Sequence, residues 1–391
     1  MKLTINHKYM ILQGLFWMLY CVAGGFISLC LQSRGLDNQG IGVVTAIFGI
    51  ASALLQLFLG RICDKYPFLS WKKMILFLSV PFLIICILMT WTPGKLPGAL
   101  FVGMLLLLGN TIMPFINSAL SSYMLHGESI NFGVSRGIGS GMYALLALLI
   151  GNLAADYGTN AVSISGIVIS ILFIIVTYSM PYMDQPEKHE QKKTSIQKGF
   201  IRRYPAFLVM YISFILLLTS HNLVGTYLLQ IIQSFGGTSQ EFGITIAIQA
   251  IVEVPVLFIF SFLLKKTTSR TLMVVAAFGY GIKALGYALS GSILAIYLLQ
   301  FTQMLSFALY ASASVYYTID VIKKEDQITG QALMTSVLAI GTVIGSLTGG
   351  WVLDHYGINS MLWVNVFISG AGIILAVISN QMFKKRLLTY H

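Results

Sequence analysis

The sequence predicts an all-α membrane protein of twelve transmembrane helices in two six-helix, pseudo-symmetric halves. Three observations carry this: a composition too apolar for water, twelve apolar runs of spanning length, and cations gathered on alternate links between the runs. Of 391 residues, 57% are hydrophobic and 9% charged, with a mean hydropathy of +0.82. A soluble domain carries roughly 25% charged residues, so this balance excludes one.

A helix needs about 20 apolar residues to cross ~30 Å of hydrocarbon. In order, the runs are 9–31, 42–59, 74–91, 98–124, 133–155 and 162–180, then 207–232, 244–264, 272–289, 293–319, 332–353 and 361–382. Barrel strands alternate over about 10 residues, whereas these runs are longer and apolar on every face. Helices satisfy their own backbone in lipid, so helices are what remain.

The first run follows Lys2 and Lys8 and superficially resembles a secretory signal. It is about 23 residues long with no small-x-small cleavage site after it, so it is read as a retained span. The longest polar interval is 184–203, after the sixth run, and it contains Gln185-Pro-Glu-Lys-His-Glu-Gln-Lys-Lys193. Too charged to bury, it is read as a cytoplasmic linker between a bundle at 1–183 and a second at 204–391.

The net charge of +11 points to topology, not to nucleic acid, because of where the cations lie. Twenty of the 24 Lys and Arg fall on links of one side: Lys2 and Lys8, Arg61 to Lys73, Lys188 to Arg203, Lys265 to Arg270, Lys323 and Lys324, and Lys384 to Arg386. The other side holds Arg34 and Lys95, while Arg136 and Lys283 fall inside runs. By the positive-inside rule both termini are cytoplasmic and the membrane is expected to be the plasma (inner) membrane. Cys21, Cys30, Cys63 and Cys86 are scattered without metal-ligand spacing, so neither a disulfide framework nor a metal site nor a cofactor is expected.

A division into halves predicts internal symmetry. The fifth run ends Gly151-Asn-Leu-Ala-Ala-Asp156-Tyr157-Gly158 and the eleventh ends Gly350-Trp-Val-Leu-Asp354-His-Tyr356-Gly357. Both also carry a glycine every fourth residue, at 133, 137 and 141 and at 341, 345 and 349. Such stripes let helix backbones approach closely.

Ionisable residues inside the runs are few, and each costs at least ~2.5–3.5 kcal/mol at the bilayer centre unless paired or hydrated. Glu253 lies about ten residues from either end of its run, which is ~15 Å deep at 1.5 Å per residue. It is either a proton- or substrate-binding carboxylate or a structural ion-pair partner of Lys283. Lys283 has the alternative of snorkelling outward, and Arg136, about one turn inside the fifth run, that of reaching the inner headgroups. His221 is the one histidine placed in the hydrocarbon, either titrating or simply hydrogen-bonded. Among amides, Asn110 and Asn117 share a stripe, as do Gln249 with Glu253 and Gln300 with Gln303. With Gln13, Trp17 and Tyr20 they point to a polar cavity.

The link after the second run reads Gly60-Arg61-Ile-Cys-Asp64-Lys65-Tyr66 and closes on Trp71-Lys72-Lys73. It resembles the Gly-x-x-x-Asp-[Arg/Lys] loop of the major facilitator superfamily, with Pro67 in place of the second glycine. Further along stand Asn131-Phe-Gly133-Val-Ser-Arg136-Gly-Ile-Gly139, Ile251-Val-Glu253-Val, Gly279-Tyr-Gly-Ile-Lys283 and Leu299-Gln300-Phe-Thr-Gln303. Their order and spacing are similar to the lactose permease and phenylpropionate permease branch. The resemblance implies the major facilitator fold, Gly60, Asp64 and Lys65 as a conformational loop motif, and roles for three charges. Arg136 falls at a substrate-binding arginine, Glu253 at an essential carboxylate and Lys283 at a coupling arginine. Ser118 stands where the branch has a substrate-orienting glutamate, with Asn117 beside it. Gln300 and Gln303 replace its histidine and proton-carrying glutamate, so neither galactoside recognition nor the branch's usual proton mechanism carries over.

The expected function is secondary transport of a small polar organic solute (a saccharide, nucleoside or organic acid) by a monomer in contact with membrane lipids, through proton symport and alternating access. An exporter of amphipathic compounds and a non-transporting sensor are the alternatives. Neither a histidine cluster, Gly-x-Ser-x-Gly nor a phosphate-binding loop occurs, which argues against an enzyme.

Overall fold

The computed structural model describes residues 4–66, 68–183 and 200–388, with side chains apart from 257, 261 and 384–388. The central part of the linker (184–199), Lys2 and Pro67 lie outside the described residues. Every regular element among the described residues is helical. The first span comprises α1 (Ile5–Tyr20), a π turn at Cys21–Gly25 and α2 (Ile27–Ser33), bent by 42°. Then come α3 (Asn38–Lys65), α4 (Trp71–Trp91), α5 (Lys95–Leu125), α6 (Phe132–Tyr157) and α7 (Asn160–Ser179). A short α8 (Phe200–Arg203) precedes α9 (Pro205–Thr226), α10 (Leu228–Ser234), α11 (Ser239–Val252), α12 (Val254–Lys266), α13 (Ser269–Leu289) and α14 (Ile293–Leu299). A 3₁₀ turn at Gln300–Met304, α15 (Phe307–Val321) and α16 (Gln327–Leu388) complete the chain.

Among the described residues, ten helices are long and apolar enough to cross a membrane, and the bent first pair brings the number to eleven. One of these, 60 residues long, is two helices meeting at Gly357, which makes twelve spans in all. Gly158 after α6 and Gly357 within α16 have φ of 64° and 77°, a conformation glycine adopts freely and other L-residues avoid. The two copies of the repeated text therefore do the same job, each ending a span at a left-handed glycine.

Polar caps set several starts: the side chains of Thr4, Asp37, Ser70, Asn131, Thr268 and Ser292 each accept an N–H from the first turn that follows. A cap of this kind contributes ~1 kcal/mol. Between caps, the apolar side chains turn outward. On α3, Ile47, Ile50, Leu54, Leu57 and Phe58 form one exposed stripe, a face that water would penalise and lipid does not.

Helices in lipid associate through close packing and sparse hydrogen bonds. The second glycine stripe fits this: a Cβ on Gly341 or Gly345 would sit within 3 Å of the α9 backbone. The first stripe differs, since Gly141 has open space around it.

The chain forms two compact units, Met1–Gln191 with Gly236–Ile251, and Lys192–Phe235 with Val252–His391. Residues 236–251, assigned by sequence to the second bundle, thus group with the first unit. There Gly243 of α11 lies against Gly151 of α6, where an added Cβ would come 2.8 Å from the facing Cα. The second unit holds an aromatic core in which Phe214 stacks on Tyr310 at 4.5 Å and Phe207 on Tyr317 at 5.8 Å.

Candidate functional site

Each unit brings a set of the polar residues singled out by sequence together in its largely apolar interior. In the first unit it starts from α1, where Tyr9, Gln13 and Trp17 are spaced four apart and so share a face. Gln13 Nε2 donates to Tyr9 Oη at 2.9 Å, and Trp17 Nε1 donates to Gln13 Oε1 at 3.1 Å. The glutamine amide fixes the indole by its edge. Against the indole face lies the Arg136 guanidinium, with its central carbon 3.8 Å from the ring centroid. Arg136 Nη1 also donates to Ser140 Oγ at 2.8 Å. Gly139 makes room for this stack, because a Cβ there would come 2.4 Å from the Trp17 ring.

Arg136 therefore reaches an aromatic partner and a hydroxyl within the unit. The stack borders a cavity of about 100 Å³ whose polar lining is Gln13, Trp17, Asn117 and Arg136. On α5, Asn117 faces this cavity and Ser118 is not among the lining residues. Asn110, on the same stripe as Asn117, instead donates from its side chain to Ser52 Oγ at 3.4 Å and accepts at its backbone carbonyl from Gln56 Nε2 at 3.1 Å, joining α5 to α3.

In the second unit the site starts at a break in the eighth span. Pro255 offers no N–H and crowds the carbonyl four residues before it, and the helix is interrupted at Glu253 between α11 and α12. The tenth span is likewise interrupted, by the 3₁₀ turn that carries Gln300 and Gln303. A 3₁₀ turn has three residues per turn, so both amides project the same way. They meet Lys283 and Tyr287, one turn apart on α13.

Lys283 Nζ donates to Gln303 Oε1 at 2.6 Å, and Gln303 Nε2 donates to Glu253 Oε1 at 2.9 Å. Gln300 Nε2 donates to Tyr287 Oη at 2.7 Å and to the Ile296 carbonyl at 2.8 Å. Glu253 and Lys283, which the sequence offers either as functional charges or as a structural ion pair, are bridged by the Gln303 amide, carbonyl toward the ammonium and NH₂ toward the carboxylate. Lys283 is 5% exposed, so it does not snorkel out of the unit.

On the other side of Lys283 lies His221 of α9, stacked on Phe307 at 5.2 Å and edge-on to Tyr280 at 5.7 Å. Sequence reasoning misses Tyr280, Tyr287 and Asn365. The one signal in the text is weak: Asn365 is a lone amide in the apolar stretch Leu362-Trp-Val-Asn-Val366.

The Gly60, Asp64 and Lys65 motif occupies the last turns of α3, not a loop. Lys65 Nζ lies 5.2 Å from the Tyr66 ring centroid, Asp64 is exposed, and nothing lies within 4 Å of a Cβ built on Gly60. No group of three or more metal-ligating side chains occurs among the described residues.

The MFS_1 like family model matches residues 9–364. No curated protein matches the sequence. Among solved structures, the nucleoside transporter NupG superposes with a TM-score of 0.83 at 16% identity, covering 98% of this chain and 100% of that one. A mutant of the peptide transporter POT superposes with a TM-score of 0.70 at 12% identity, covering 97% of this chain and 93% of that one. Both likenesses show a shared fold of multi-pass helices.

Proposed function

Because the chain belongs to the MFS_1 like family, and is accordingly a membrane transporter and not an enzyme, we propose that it carries a nucleoside-like solute across the plasma membrane by proton symport. The carrying observation is the Arg136 guanidinium placed over the Trp17 ring beside Gln13 and Asn117. A guanidinium is a planar fork of N–H groups suited to carbonyl acceptors, and Arg136 gives Nη1 to Ser140. A pyrimidine or purine base offers such acceptors on a flat ring that an indole wall accepts. The name of the structural neighbour NupG, a nucleoside transporter, supports the same solute class. The cavity is smaller than the ~300–1,000 Å³ of ordinary ligand sites, so it takes one ring of the solute.

Coupling is assigned to Glu253. A carboxylate held at a helix break, hydrogen-bonded through a neutral amide to a buried ammonium, can gain and lose a proton without leaving its partner isolated. Alternating access, a monomer in contact with lipid, and cytoplasmic termini complete the reading.

Uptake of radiolabelled uridine, sugars and aromatic acids into proteoliposomes tests it. Uridine is expected to accumulate with an inward proton gradient, and Glu253→Gln to abolish accumulation while sparing counterflow exchange. Uptake indifferent to the gradient sinks the coupling, and accumulation of another solute class sinks the nucleoside assignment. Accumulation in the opposite sense would identify an exporter.

A further inference from the structure

Beside Lys283, in the second unit, a cavity of about 10 Å³ is lined by Ser220, His221, Tyr280, Lys283 and Asn365, with the apolar Val224 and Ala284 completing its wall. Three of these side chains bring polar atoms that are buried and without a hydrogen-bond partner: His221 Nδ1, Tyr280 Oη, and both Nδ2 and Oδ1 of Asn365. Asn365 is 0% exposed and Tyr280 1%. Each such atom costs ~1–3 kcal/mol if left unsatisfied, and the three residues that carry them, from α9, α13 and α16, line a single space. We propose that this space is a built site for one ordered water molecule, which joins Asn365, Tyr280 and His221 to the Lys283 ammonium.

Size and chemistry select the occupant. One water needs ~10–15 Å³ of such volume and two to four polar partners, and this cavity supplies both. A halide would suit the ammonium, the phenol and the amide NH₂, but it cannot satisfy Asn365 Oδ1, which needs a donor. A metal cation is opposed by Lys283, whose ammonium has three N–H groups and gives one to Gln303. Water both donates and accepts, so it serves the carbonyl oxygen and the donors together. A wholly apolar cavity of this size would stay dry, whereas this one, although Val224 and Ala284 also line it, is bordered by the polar side chains of His221, Tyr280, Lys283 and Asn365.

The site extends the Glu253–Gln303–Lys283 chain of hydrogen bonds to α9 and α16, and makes Asn365 a positioning residue for Lys283. It stands apart from the choice of solute, since the water belongs to the unit itself.

X-ray radiolytic labelling of the full chain in nanodiscs, read by mass spectrometry, tests it directly. Hydroxyl radicals formed from bound water oxidise neighbouring side chains that bulk radicals cannot reach. Tyr280 and Tyr287 lie on the same helix and are equally buried, at 1% exposed, but Tyr287 is bonded to Gln300 and away from the cavity. Tyr280 is expected to label severalfold faster than Tyr287. That excess should disappear in Asn365→Leu, and independently in His221→Phe, which keeps a ring on Phe307 and removes both nitrogens. Equal protection of the two tyrosines in the wild type would overturn the site, even if neither variant folds. Fast Tyr280 labelling that survives both substitutions would also overturn it.

Discussion

Arg136 shows how a single residue can be conspicuous in the sequence while its partner is not. Its charge stands out in the sequence because it sits within an apolar run, and the same contrast makes Glu253 and Lys283 legible. Its partner is another matter, since Trp17 lies 119 positions earlier and no local pattern connects them. Gln303 is legible as an amide but not as a spacer, because nothing local reveals that it fills the gap between two charges. The stack on Trp17 supplies about 0.5–2 kcal/mol, depending on how far it is desolvated. Lysine keeps the charge but has neither the plane nor the fork. Arg136→Lys is therefore expected to raise the half-saturating solute concentration about 2- to 30-fold, taking ~1.4 kcal/mol per tenfold change, with the proton dependence of uptake unchanged. Initial-rate uptake over a range of solute concentrations measures this, and an unaltered half-saturation would remove Arg136 from the binding site.

Apolar runs of spanning length announce the helices, but the interruptions within them are set largely by contacts made across the unit. The break at Glu253 is readable in principle from Pro255. The π turn at Cys21–Gly25 and the 3₁₀ turn at Gln300–Met304 contain no proline, and the 3₁₀ turn is stabilised by bonds to α13 that form only on packing. The link from α15 to α16 is a further element of this kind. Asp326, 2% exposed, receives Arg203 Nη1 and Tyr204 Oη, each at 3.0 Å, and Tyr204 Oη in turn accepts the Lys323 N–H at 3.3 Å. The link and the start of the seventh span are tied together outside the membrane-spanning segments. Burial, and then the bond to Asp326, raise the Tyr204 phenol above its ordinary value. A raised pKa favours the neutral donor in the folded state, so this contribution is complete at neutral pH and lost only as pH rises through the shifted alkaline value. Asp326→Asn is expected to cost roughly 1–2 kcal/mol, a low figure because Arg203 is 42% exposed and solvent screens the pair. Thermal unfolding in detergent at pH 7 reads the loss, and an unshifted transition would show that the tie contributes nothing.

At the scale of the whole molecule the argument rests on charge placement, because lipid accepts either orientation of an apolar helix equally well. Cations on the links decide which way a bundle inserts, and short links dominate the choice. Arg61, Lys65, Lys72 and Lys73 flank the turn between α3 and α4, and Lys265, Lys266 and Arg270 flank that between α12 and α13. The turns of opposite sense hold Arg34 and Lys95, and Arg34 spends its guanidinium on the carbonyls of Thr92 and Met89 at the end of α4. It caps a helix there and leaves the net bias to the other side. Alkaline phosphatase, active only after export, is therefore expected to be active when fused after Asp37 or Lys95 and inactive when fused after Lys73 or Arg270. A fluorescent protein fused after the last span should fold and emit from the cytoplasm. Replacing Arg61, Lys65, Lys72 and Lys73 together by glutamine should lower phosphatase activity at the Asp37 fusion, because the first two spans lose the bias that fixes them. If the four substitutions leave every fusion unchanged, orientation is set by later links, and the cations after the second span act on the conformation of the α3–α4 turn instead.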